Sequence, residues 1–105
     1  EMRFADAKGL YQRVAKGRFL HGRAALGLAN IAFETGNNEL AIRNAKAALR
    51  DGAGADARFI LGNALFKKKQ FDQAKEQYDL LLKVQPTHKG ARRALNETQR
   101  KLGGK

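Results

Sequence analysis

Two asparagines, Asn30 and Asn63, stand 33 residues apart, each inside an apolar pattern with helical spacing. A carboxamide carries donors and an acceptor, so it can bond a peptide main chain whatever the peptide's sequence. The other groups with chemical reach are cationic: 21 Lys and Arg against 10 Asp and Glu, a net charge of +11. The excess gathers late, with 10 basic and 6 acidic residues in 1–66 and 11 and 4 in 67–105. Such charge suits an acidic protein partner, where it raises encounter rate more than affinity, or the phosphates of a nucleic acid. Lys67-Lys68-Lys69 has a simpler reading, since cations suit the C-terminus of a helix. Catalysis is not expected. There is no Cys and no Ser, which removes thiolate and serine nucleophiles and Cys-based zinc sites. His21 and His88 are the only histidines and lie far apart, which excludes a multi-histidine metal site. Both read as turn residues before helices. Carboxylates are few, none pairs on an apolar face for acid–base work, and the glycines form no phosphate-cradling loop. No cofactor or metal is expected.

The elements that must position these groups follow from a repeat. Leu61-Gly62-Asn63-Ala64-Leu65-Phe66 is followed by Phe71, Ala74, Tyr78, Leu81-Leu82 and Pro86. Thirty-three residues earlier, Ala29, Phe33, Ala41 and Ala48-Leu49 answer Gly62, Phe66, Ala74 and Leu81-Leu82. A further 34 residues back, Phe4, Ala7, Tyr11 and Val14-Ala15 answer Phe71, Ala74, Tyr78 and Leu81-Leu82. A period of this length means stacked supersecondary units. Within each unit the apolar steps are three and four, as on a helix face. Gly36 can end one helix in the left-handed conformation and Asn37 or Asn38 can cap the next. Small residues at Gly62 and Ala74 suit close helix crossings, and Pro86 suits a helix exit. The spacing predicts six helices, at about 2–16, 22–35, 38–50, 55–68, 71–84 and 88–102, with residues 103–105 frayed. No uninterrupted apolar run of 18 residues exists, so no membrane span is expected.

The pattern Leu61-Gly62, Leu65-Phe66, Ala74, Tyr78 and Pro86 resembles the tetratricopeptide repeat (TPR). The slot of that family's first aromatic holds Arg58 here and Ala25 one unit earlier. The 22–54 unit departs further, with Ala45 for the second aromatic and no Pro. The resemblance implies an all-α solenoid of antiparallel helix pairs. Residues 1–21 would be the second half of a truncated repeat, 22–54 and 55–88 two repeats, and 89–102 a capping helix. The cap would bury Ala91, Ala94, Leu95 and Leu102. The whole would be the C-terminal part of a longer array.

The resemblance also implies a concave groove lined by the first helix of each unit. Its candidate residues are Arg23, Leu26, Asn30, Phe33, Phe59, Asn63, Lys67, Arg93, Glu97 and Arg100. In this reading Asn30 and Asn63 fix a peptide backbone, Leu26 and Phe59 form an apolar pocket, and Arg93 and Arg100 meet carboxylates. The Lys, Asn and Arg set with which some members grip a C-terminal carboxylate is incomplete here. The expected role is a protein–protein interaction module that binds a peptide or acidic segment as a scaffold or adaptor. The alternatives are a structural spacer in a multidomain protein, and a basic surface for nucleic acid or anionic membrane. Nucleic acid is disfavoured because Phe66, Phe71 and Tyr78, which would have to stack on bases, fall on the packing stripe. Many such arrays are cytoplasmic, and others sit in the bacterial envelope.

Overall fold

The computed structural model describes the backbone of residues 7–103 and the side chains of residues 21–103. The described residues form five helices and no strand: α1 (Ala7–Glu34), α2 (Asn38–Arg50), α3 (Gly54–Lys67), α4 (Phe71–Val84) and α5 (Lys89–Leu102). Each helix packs antiparallel on the next, and α1 also touches α3, as α3 touches α5. This is the all-α solenoid architecture that the 33-residue spacing predicts.

One boundary differs from the sequence reading. The segments expected at 2–16 and 22–35 are joined, within the described residues, into the single helix α1. The intervening residues, Lys16-Gly17-Arg18-Phe19-Leu20-His21-Gly22, contain no Pro and no Ser, Thr, Asp or Asn to cap a new helix. Glycine there costs about 1 kcal/mol relative to Ala, but its N–H keeps the hydrogen-bond ladder intact. His21 is therefore not a turn residue. It lies within α1, and its Nδ1 meets Oδ2 of Asp51, at the end of α2, at 2.6 Å. The residues 1–6 and the side chains that carry the earliest echo, Phe4, Ala7, Tyr11 and Val14, lie outside the described set, as do residues 104–105.

The other helix ends form as their sequences require. After α1, α2 and α3 the same pair of backbone bonds recurs: Gly36 to Phe33 with Asn37 to Ala32, Gly52 to Leu49 with Ala53 to Ala48, and Lys69 to Phe66 with Gln70 to Leu65. This Schellman closure puts one residue in the left-handed region. Gly36 fills that slot with φ of 84°, whereas one unit later Lys69 fills it with φ of 65°. Asn37 caps α2, its side chain accepting from the Leu40 N–H at 3.2 Å. His88 caps α5, its Nδ1 accepting from the Ala91 N–H at 2.9 Å.

The core is built from small residues at the crossings and large ones between them. Ala29, Ala45, Leu61, Leu65, Ala74, Tyr78, Leu81, Ala91 and Leu95 are buried together. Gly62 is buried against the Tyr78 ring. In the preceding unit the same two slots hold Ala29 and Ala45, both fully buried. A Gly–Tyr crossing has thus replaced an Ala–Ala crossing, volume moving from one helix to its neighbour. Arg58, in the slot of the missing aromatic, donates from Nη1 to Oε1 of Gln77 on α4 at 2.9 Å. α5 covers α4 with Ala91, Leu95 and Thr98, while Ala94 is half-buried. Leu102, expected in that interface, is exposed. Thr98 is buried in its place, its hydroxyl donating to the Ala94 carbonyl at 2.7 Å.

Candidate functional site

On α3, Phe59, Asn63, Phe66 and Lys67 recur at steps of four, three and one, which sets them on one face. Gly90, Arg93, Ala94 and Glu97 do the same on α5. The two faces, with Phe33 from α1 and Tyr78 from α4, enclose a concave pocket of about 370 Å³. Its apolar floor is braced by rings. Phe59 meets Tyr78 edge-on with centroids 6.2 Å apart, and lies 4.9 Å from the His88 ring. Phe66 packs edge-on against Phe71 at 5.1 Å. Such pairs hold aromatic side chains in defined orientations.

The polar groups of the pocket are arranged unevenly. The Tyr78 hydroxyl donates to Oδ1 of Asn63 at 2.5 Å. Burial pushes the Tyr78 phenol well above its ordinary range, so it stays protonated and remains a donor. Glu97 is engaged by Arg100, one turn on along α5. Lys67 and Arg93 are exposed and take part in no ion pair among the described residues. The pocket therefore joins an apolar floor to a rim that carries excess positive charge.

Of the ten groove candidates, Phe33, Phe59, Asn63, Lys67, Arg93 and Glu97 line this pocket. Arg23, Leu26, Asn30 and Arg100 do not. Leu26 and Phe59 share no apolar pocket: Leu26 packs on Ala25, Ala48 and Ala57, whereas Phe59 packs on the main core. Asn30 is exposed, and the slot that would supply it with a phenol holds Ala45. Arg100 pairs with Glu97. Tyr78, Gly90 and Ala94 were not among the sequence candidates. Tyr78 sits on the packing stripe as its spacing requires, yet its hydroxyl reaches the pocket wall. The signal that could have found it is the Gly62–Tyr78 exchange against Ala29–Ala45.

A family model described as tetratricopeptide repeat matches residues 3–56 and again residues 26–89. The chain belongs to the tetratricopeptide repeat family. Tetratricopeptide repeats are generally protein–protein interaction modules and typically non-catalytic scaffolds. Comparison with curated proteins gives no match. Among the described residues no group of three or more His, Cys, Asp or Glu is placed to hold a metal ion, and no helix is long and apolar enough to cross a membrane.

Proposed function

We propose that this tetratricopeptide domain holds an extended segment of a partner protein in the pocket between α3 and α5, as a scaffold or adaptor. An apolar side chain of the segment rests on Phe33, Phe59 and Phe66, and acidic neighbours meet Lys67 and Arg93. The observation that carries this reading is the aromatic floor beside two cations that no described carboxylate neutralises. Burying one Leu or Phe side chain contributes about 1.5–3 kcal/mol. With a few charge-assisted bonds the site reaches micromolar affinity, roughly −8 kcal/mol. In the same reading residues 22–54 and 55–88 are two repeats, 1–21 is the second half of a truncated one, and 89–102 is the closing helix, whose outer face carries Arg92, Asn96, Gln99 and Lys101.

The test is an array of nonapeptides, each with a central Leu or Phe flanked by Glu, Gln or Lys. Retention is expected to fall in the order Glu, Gln, Lys, and the variant Lys67→Glu with Arg93→Glu is expected to reverse it. Both positions are exposed, so the fold is retained. Retention indifferent to flanking charge removes the proposal. A spacer that only positions other domains retains none of the peptides.

A further inference from the structure

Resting on that reading of the pocket, we infer that Tyr78 locks the Asn63 carboxamide so that the pocket offers donors and no acceptor at this point, and that a side-chain carboxylate of the bound segment seats there. An unconstrained Asn is ambivalent, since rotation about its last torsion exchanges oxygen for nitrogen. Asn63 is not free to do this. Its Oδ1 accepts the Tyr78 hydroxyl hydrogen at 2.5 Å, and Tyr78 is 1% exposed. Turning the amide over leaves the phenol proton without an acceptor where water does not reach, an arrangement proteins avoid. The Nδ2 group makes no hydrogen bond among the described residues and lies in the wall of the pocket.

The charges around it select the acceptor. Lys67 and Arg93 line the same pocket, and Glu97, the one carboxylate there, is bonded to Arg100. A fixed N–H pair beside two cations favours a carboxylate over a neutral carbonyl, because charge-assisted bonds are the stronger kind. Tyr78 is a positioning residue: it acts through Asn63 and sets the sign of what the pocket accepts. Asn30 does not share this role. The matching slot on α2 is Ala45, and Asn30 is exposed, so its amide turns freely.

The decisive variant is Tyr78→Phe, which keeps the ring and deletes the hydroxyl. Affinities are measured by isothermal titration for matched nonapeptides with Glu, Gln or Lys beside a central Leu, using wild type, Tyr78→Phe and Asn63→Ala, each checked for helicity. Wild type is expected to prefer Glu over Lys by tenfold or more. In both variants this ratio is expected to fall several-fold, and in Asn63→Ala the loss on changing Glu to Gln is expected to shrink. A purely structural role for Tyr78 lowers all affinities together and leaves the Glu-to-Lys ratio unchanged, which overturns the inference while the groove reading stands. If wild type binds none of the peptides, the groove reading fails and takes this one with it.

Discussion

A single methyl group placed on α3 tests how the core and the pocket are joined. A Cβ built on Gly62 lies 2.7 Å from Cε1 of Tyr78 and 3.1 Å from both Cδ1 and Cζ. Carbon atoms in contact sit about 3.5–4.0 Å apart, so in Gly62→Ala the ring or the helix must shift by roughly 1 Å. The ring has little room to yield. It is 1% exposed, its edge meets Phe59, and its hydroxyl is held by Asn63. Overpacking of this kind costs about 1–3 kcal/mol, and the better helix propensity of Ala offsets about 1 kcal/mol of it. The net expectation is a loss of about 1–2 kcal/mol. For a domain of this size each kcal/mol lowers the melting temperature by about 4–8 °C. Urea unfolding followed by circular dichroism measures it. The control is the same change in a Tyr78→Ala background, which recreates the Ala29–Ala45 crossing of the preceding unit. There the methyl meets no ring, so Gly62→Ala is expected to stabilise by about 1 kcal/mol. The sign of the substitution thus depends on Tyr78. A methyl that stabilises equally in both backgrounds refutes the reasoning.

Lys69→Gly is expected to raise stability by about 1 kcal/mol, because it relieves a left-handed non-glycine residue at the end of α3; the urea midpoint should rise with an unchanged slope. His88→Ala is expected to cost about 1 kcal/mol through loss of the α5 cap, and His88→Asp should restore it, since an anion also suits a helix N-terminus; thermal melts of the three proteins decide this. Because the Tyr78 phenol is raised in the fold by burial, its contribution is fully present below the ordinary phenol pKa of about 10 and is lost as pH rises beyond that value toward the folded one. The urea midpoint of wild type is therefore expected to fall more steeply above pH 10 than that of Tyr78→Phe, and parallel curves would contradict it.

Much of the solenoid was legible because its determinants are local. The Gly36-Asn37 pair ends α1 and caps α2 as their residue types require, and Pro86 stands beyond α4. The α5 span falls within a residue of the predicted segment. The break expected near residue 21 was not legible, because a glycine without a cap or a Pro does not compel a turn. Leu102 and Thr98 exchanged roles for a different reason: both fit the apolar stripe of α5, and only its rotation against α4 selects between them. Asn30 and Asn63 look alike in the chain because the 33-residue spacing compares a residue with its repeat mate and not with its neighbour across the crossing.

Periodicity, small residues and helix-stop signals by themselves determined that this chain is a stack of antiparallel helices with a basic C-terminal end, since each acts over a few residues. Only the tertiary structure decided which candidates meet: Phe33, Phe59, Asn63, Lys67, Arg93 and Glu97 share one pocket, and Leu26 and Asn30 do not. It also decided that Asn63 is oriented and Asn30 is not. That difference comes from a phenol 15 residues away, brought to the amide by the α3–α4 crossing that Gly62 makes close enough.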